Sequence, residues 1–138
     1  MKTIYSLLAF LLLIPATGLI TKAGSNCPTP KPAKVQVYYF HYERRCPTCI
    51  AVEEETRKAL VELYPTFVKK GHITFQSVNL EEKSGEALAD KLKVAGQSLI
   101  LVKGDVIKDL TEKGFLYAKS DPSKLKAEIK LQMDELMK

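Results

Sequence analysis

Two cysteines separated by two residues, Cys46 and Cys49, are the residues of this chain best suited to chemistry. They follow an apolar, β-rich run over 35–40 and precede a helical pattern that begins near Pro47. A thiol at a helix N-terminus is stabilised as the thiolate by the helix dipole and by unpaired backbone N–H groups. A second thiol about one turn further on can close a small disulfide ring with it. The spacing therefore predicts a site for dithiol–disulfide exchange.

Within this pair we expect Cys46 to be the nucleophile and Cys49 the resolving cysteine. Cys46 precedes the helix and should be the more exposed thiol. Arg44, Arg45 and the helix dipole favour its thiolate, so its pKa is expected below the free-thiol value of about 8.5. Cys49 lies inside the first turn, should be more buried, and would attack Cys46 to resolve a mixed disulfide. A purely structural disulfide is the alternative, but so small a loop adds little stability.

The residues expected to tune the couple are Pro47, Thr48, Arg45 and His41. Proline at the first helical position suits the helix start and removes one N–H that could bond a sulfur. Thr48 can offer a hydroxyl; the alternative is that Pro47 and Thr48 only begin the helix well. Arg45, with its neighbour Arg44, could also hold an acidic partner or an anionic substrate, or could be solvated.

His41 has three candidate roles: a proton relay to Cys49, a metal ligand beside Cys46 and Cys49, or a turn residue without chemistry. A zinc site wants four ligands, and only these three lie together in sequence. Copper(I) tolerates two thiolates, so it is the better metal alternative. No cofactor is expected otherwise.

Residues 1–23 have the pattern of a secretory signal peptide: Lys2, an apolar stretch over 4–14 and a small-residue site ending at Ala23. An uncleaved membrane anchor and a lipoprotein acylated at Cys27 are the alternatives. Cleavage leaves about 115 residues, enough for one domain, exported to the periplasm or another extracytoplasmic space where disulfides persist. Residues 24–33, with Cys27 and three prolines, are predicted to form an extended tether.

The charge of the chain gives no sign of a nucleic-acid partner. The formal net charge is +5, and about +3 remains without the leader. The excess is spread over many lysines, and no basic stripe is interleaved with aromatic residues.

The hydrophobic pattern after residue 33 predicts seven elements in the order β-α-β-α-β-β-α. The predicted strands are 34–40, 72–80, 98–102 and 106–110, and the helices are 47–64, 84–92 and 121 to the end. The continuously apolar third strand is expected to be central. The first helix is expected to bury one face that consists of Cys49, Val52, Thr56, Ala59, Leu60, Leu63 and Phe67.

This order, with a dithiol at the start of its first helix, resembles the thioredoxin fold over residues 34–138. The segments 78–82 and 94–105 also look like that family's strand, substrate-binding loop and β-hairpin, in register. The resemblance implies a three-layer α/β fold with a mixed sheet of about four strands flanked by helices. It also implies thiol–disulfide oxidoreductase activity with a protein dithiol or disulfide partner, and places Gln97 and Ser98 in the substrate-binding loop.

Three positions depart from the thioredoxin pattern. Ser98 stands where the family has a cis-proline, and a cis bond without proline costs about 2.5–4 kcal/mol. The family's buried acid, six residues before the first cysteine, is matched by Phe40, so the usual proton acceptor for the second cysteine is missing. Arg45 replaces a tryptophan. The glutamates at 53–55 are expected to form a solvated helix face, although one of them could stand in for the missing acid.

Within the superfamily, Phe40-His41 and the segment 45–49 are similar to a small exported branch. Its members are known as nitrophenyl compound nitroreductase subunits and are associated with arsenical resistance. This implies a partner reductase or membrane electron donor, with membrane proximity if the leader stays uncleaved. Two other functions stay open: a thiolate carrier of copper(I) or trivalent arsenic, and a non-catalytic docking subunit.

Overall fold

The computed structural model describes residues 35–138. The predicted signal peptide (1–23) and the predicted tether (24–33) with Cys27 lie outside the described residues. None of the helices between residues 35 and 138 has the length and hydropathy needed to cross a membrane.

The described part of the chain forms four strands and five helices. In chain order they are β1 (Val35–His41), α1 (Pro47–Leu63), α2 (Pro65–Lys69), β2 (Ile73–Asn79), α3 (Lys83–Leu92), β3 (Ser98–Lys103), β4 (Val106–Asp109), α4 (Thr111–Tyr117) and α5 (Pro122–Met137). All seven predicted elements are present, with ends that differ by at most one residue. The short helices α2 and α4 are additions to the predicted order.

The four strands form one mixed sheet in the order β2-β1-β3-β4. β1 pairs in parallel with β2, whereas β3 is antiparallel to both β1 and β4. The prediction that β3 is central is confirmed, and its four residues Leu99 to Val102 are all buried. Gly104, with φ of 58°, allows the tight turn between β3 and β4.

Helices cover both faces of the sheet, which confirms the predicted three-layer α/β architecture. On one face, Val37 and Tyr39 of β1 pack in a core with residues of α1 and α5. On the other face, Tyr38 and Phe40 pack in a second core with Ala89 of α3. β1 is therefore buried on both sides from Val37 to Phe40, which explains why these four residues are apolar without alternation.

The predicted buried face of the first helix is largely confirmed, but its last member is wrong. Its first five residues, from Cys49 to Leu60, are buried, and Leu63 is partly buried. Phe67, however, lies in α2 and is 43% exposed. The reason is Pro65, which ends α1 at Leu63 and begins a new helix whose faces are not in phase with the first.

Helix α4 was not predicted because seven residues that include a glycine give only a weak helical signal. It forms because Gly114 packs against β3 and α1. A Cβ at this position would lie 3.2 Å from Val52 Cγ1 and 3.4 Å from Leu99 Cδ2. At the start of the helix, Thr111 Oγ1 accepts a hydrogen bond of 3.0 Å from the Leu99 N–H.

A second close approach sets the position of α3. A Cβ on Gly85 would lie 1.9 Å from the backbone oxygen of Asn79, at the end of β2. Only glycine allows the first turn of α3 to lie this close to the strand.

Candidate functional site

The two cysteines form a disulfide at the N-terminus of α1, with their Cα atoms 5.1 Å apart. Cys46 is the N-cap of the helix, and its Sγ accepts a hydrogen bond of 3.2 Å from the Cys49 N–H. Pro47 occupies the first turn, where a missing N–H costs nothing. A sulfur thus takes the place usually held by the oxygen of a serine, threonine or aspartate cap.

The two sulfurs differ in their access to solvent. Cys46 is exposed, whereas Cys49 is only 4% exposed. Thr48 is half-buried and Pro47 is exposed. A partner approaching from solvent therefore reaches Cys46, while Cys49 is shielded beneath it, as their positions in the helical pattern predict.

The loop before β3 lies beside the dithiol because β1 and β3 are neighbours. Phe40 is paired with Ser98, so the end of β1 and the start of β3 meet at one edge of the sheet. The Tyr42 hydroxyl lies 3.8 Å from the position that a Cβ on Gly96 would occupy, which brings the two loops together. Ser98 Oγ donates a hydrogen bond of 2.9 Å to the Gly96 carbonyl.

Gln97 contacts the buried cysteine. Its Oε1 lies 3.2 Å from Cys49 Sγ, and its side chain is half-buried. The resemblance to thioredoxins placed Gln97 and Ser98 in a substrate-binding loop; in the structure the side chain of Gln97 faces the protein's own sulfur.

Arg45 is directed towards the side of α1. Its Nη2 is 2.5 Å from Glu53 Oε2 and 3.5 Å from the Cys49 carbonyl oxygen. Its guanidinium also lies 5.6 Å from the ring centroid of Tyr39. Arg45 was expected to favour the Cys46 thiolate; in the structure Glu53 neutralises its charge, which weakens that effect. Arg44 is exposed.

Glu53 is the centre of a polar network, so the expectation that the glutamates at 53–55 form a solvated helix face is wrong for Glu53. Its side chain is 14% exposed, and it accepts hydrogen bonds from Arg45, from Arg57 at 3.0 Å and from Ser77 at 3.0 Å. Burial alone would raise the pKa of Glu53, but these three donors outweigh it and lower the pKa below its ordinary value. Glu53 is thus a carboxylate fixed in place by three hydrogen bonds.

Tyr39 lies between this network and the core. Burial raises the pKa of its phenol above the ordinary value. Its hydroxyl is buried and finds no hydrogen-bond partner among residues 35–138, as is also true of the Thr56 hydroxyl. Tyr39 packs in the core with residues of α1, and Thr56 lies on the buried face of that helix.

His41 contacts the tyrosines on either side of it in the chain, Tyr42 and Tyr39. Its Nδ1 lies 2.8 Å from the Tyr42 carbonyl oxygen, and its ring stacks at 6.0 Å on Tyr39. No three histidine, cysteine, aspartate or glutamate side chains of the described residues are grouped so that they could hold a metal ion. In this oxidised form, with Cys46 and Cys49 joined in a disulfide, His41 and the two cysteines do not make such a group.

Phe40 is fully buried in the core against α3, next to Val78 and Ile100. At this position, where the resemblance to thioredoxins would place a carboxylate, a ring packs among apolar side chains. Among residues 35–138, Gln97 is the residue whose side-chain polar atom lies within hydrogen-bond distance of the Cys49 sulfur.

The sequence matches no protein-family model and no curated protein. The fold is similar to that of thioredoxin O2 from Arabidopsis thaliana, whose crystal structure is of the oxidised state. The TM-score is 0.50 and the identity 22%, over 72% of this chain and 75% of that chain. At this level of identity the similarity concerns the fold, which is thioredoxin-like. A thioredoxin from Wuchereria bancrofti gives a TM-score of 0.40 at 22% identity, over 72% of this chain and 83% of that chain.

Proposed function

We propose that this protein is a thiol–disulfide oxidoreductase that exchanges disulfides with a protein partner through Cys46 and Cys49. The observation that carries the proposal is the asymmetric disulfide at the start of α1, with one exposed sulfur and one buried sulfur. A structural disulfide needs no such difference in access. The thioredoxin-like fold is consistent with this activity.

Exchange would begin when a thiolate of the partner attacks Cys46 Sγ. The Cys46–Cys49 bond breaks, a mixed disulfide forms at Cys46, and Cys49 leaves as a thiolate that takes up a proton. A second thiolate of the partner then attacks the partner's sulfur in the mixed disulfide. The partner disulfide forms, and Cys46 leaves as a thiolate. Two electrons pass from the partner dithiol to the protein. The same steps in reverse reduce a partner disulfide.

The local structure favours Cys46 as the group that is attacked and released. The Cys49 N–H that bonds its sulfur in the disulfide can also bond the thiolate, and the α1 dipole acts in the same direction. Arg45 contributes little to the stability of the Cys46 thiolate, because its charge is neutralised by Glu53. A thiolate that is stabilised in this way is a good leaving group.

The surface around Cys46 suits a protein partner. Tyr42 and Ile50, which are 41% and 42% exposed, lie four residues to either side of it in sequence. Arg44 adds an exposed positive charge. We propose a partner with an accessible dithiol or disulfide, such as a membrane electron donor or a partner reductase.

We further propose an extracytoplasmic location and a role in reducing nitroaromatic or arsenical compounds as a redox subunit. The support for the location is the leader pattern over 1–23, together with a disulfide that an oxidising compartment would preserve. The support for the role is the likeness of segments 40–41 and 45–49 to the exported branch described above.

The test is the reduction potential of the couple in the purified protein. The protein is equilibrated in graded thiol–disulfide buffers, and alkylated thiols are counted by mass, with Cys27→Ser as the background that removes the third thiol. A potential near about −270 mV would indicate a reductant, and one near about −120 mV a disulfide donor. If no reversible couple appears in any buffer, the proposal fails.

A further inference from the structure

The contact between Gln97 and Cys49 raises the question of how a buried sulfur changes its protonation state. Cys49 is 4% exposed, and in each cycle it must be both a thiol and a thiolate. A buried thiolate without a hydrogen-bond donor is strongly disfavoured. The amide of Gln97 lies 3.2 Å from the Cys49 sulfur, within reach of both forms.

A primary amide can serve both forms because it carries an acceptor and a donor on the same carbon. When Cys49 is a thiol, Gln97 Oε1 accepts its S–H. When Cys49 is a thiolate, a half-turn about the last side-chain bond presents the NH₂ group, which donates to the sulfur. The amide itself stays neutral throughout, so it needs no proton of its own.

Two ionisable side chains near the site, Glu53 and His41, are already engaged in hydrogen bonds. Glu53 accepts hydrogen bonds from three donors, and the pKa of its carboxyl is lowered, so it is poorly suited to take a proton near neutral pH. His41 Nδ1 is bonded to the Tyr42 carbonyl. Phe40 carries no polar group.

We propose that Gln97 is a catalytic residue that stabilises Cys49 in both protonation states through its side-chain amide. The proposal rests on the oxidoreductase function proposed above. When Cys49 attacks a mixed disulfide at Cys46, its thiol first loses a proton to solvent. The Cys46–Cys49 bond then forms, the bond between Cys46 and the partner breaks, and the partner leaves as a thiolate. Gln97 holds the Cys49 thiolate in the attacking state.

The test follows the two cysteines separately by stopped flow. The reduced protein, carrying Cys27→Ser, is mixed with one equivalent of dithiobis(nitrobenzoate). A first thionitrobenzoate is released when Cys46 attacks the reagent, and a second when Cys49 attacks the mixed disulfide. Both phases are recorded from about pH 5 to about pH 10. The variants are Gln97→Leu, Gln97→Glu and, as a matched control, Gln76→Leu at an exposed glutamine of β2.

In Gln97→Leu we expect the second phase at neutral pH to slow about tenfold or more, because a hydrogen bond to a charged group is lost. Its pH midpoint moves upward, while the first phase changes little. Gln97→Glu also moves the midpoint upward, because a carboxylate opposes the thiolate. Gln76→Leu changes neither phase.

A second phase that is unchanged in rate and midpoint in Gln97→Leu overturns the proposal. If Gln97→Leu lacks the near-ultraviolet circular dichroism of the parent, the same criterion is applied to Gln97→Glu: a second phase with unchanged rate and midpoint overturns the proposal. A parent protein that gives a first phase and no second phase has no resolving cysteine. That result overturns the proposed function itself, so the two failures are distinguishable.

Discussion

Arg45 and Glu53 form an ion pair, 2.5 Å between Nη2 and Oε2, that joins the residue before the first cysteine to the second turn of α1. Since the side chain of Arg45 is 23% exposed and that of Glu53 14%, solvent screens this pair less than the other ion pairs on the described surface. The same guanidinium faces the Tyr39 ring and the Cys49 carbonyl. The pair therefore fixes the loop that presents Cys46.

Replacing Glu53 by glutamine should destabilise the protein. The Arg45 guanidinium would lose its counter-charge, and Arg57 and Ser77 would lose a charged acceptor. We expect the free energy of unfolding to fall by about 1–3 kcal/mol, measured by urea denaturation. Glu54→Gln is the matched control, because Glu54 is the exposed neighbour. Equal stability of the two variants would contradict the role assigned to the pair.

The same carboxylate makes stability depend on pH. Because the folded pKa of Glu53 lies below that of the unfolded chain, the group contributes its full stability above the unfolded value of about 4.3. This contribution is lost as the pH falls through the folded pKa. We expect the stability difference between the parent and Glu53→Gln to be constant near neutral pH and to shrink below about pH 4. A difference that grows on acidification would show the wrong sign for this carboxylate.

Replacing Cys46 and replacing Cys49 should affect disulfide exchange in different ways. Cys46→Ser removes the exposed sulfur and should abolish exchange, because no partner reaches Cys49. Cys49→Ser should still attack a partner disulfide, and the mixed disulfide should persist, because nothing resolves it. Mass spectrometry without reductant detects this adduct. Cys27→Ser serves as the control, and retention of exchange activity by Cys46→Ser would reverse the assigned roles.

Alanine at Gly85 should destabilise the fold through a backbone contact. Its Cβ would lie 1.9 Å from the Asn79 oxygen, so α3 would have to move away from the end of β2. We expect a loss of about 2 kcal/mol or more in the free energy of unfolding. Gly96→Ala is the control, since its Cβ would meet only the Tyr42 hydroxyl at 3.8 Å. Similar melting temperatures for the two variants would contradict this packing.

Much of the fold follows from the sequence because its signals are local. The apolar runs of β1 and β3, the cap and proline at the start of α5, and the cysteine pair before α1 each determine their own element. The end of α1 was less well predicted because Pro65 both ends one helix and begins the next. α4 depends on the packing of Gly114 against distant residues, which a local pattern does not contain.

The site was predicted in its cysteines but not in its surroundings. The order of Cys46 and Cys49 along a helix start is enough to predict which is exposed. The pairing of Arg45 with Glu53 could not be predicted, because residues eight positions apart are not one of the usual ion pairs along a helix. The contact of Gln97 with Cys49 spans 48 residues of sequence and arises only when β3 pairs with β1.

The sulfur of Cys46 caps a helix and is also the atom that a partner attacks. Any reagent that takes this sulfur changes the electron density facing the Cys49 amide proton. That amide proton is therefore a built-in spectroscopic reporter of the chemical state of Cys46. Its chemical shift and its rate of exchange with deuterium would report oxidised, mixed and reduced protein without any added probe.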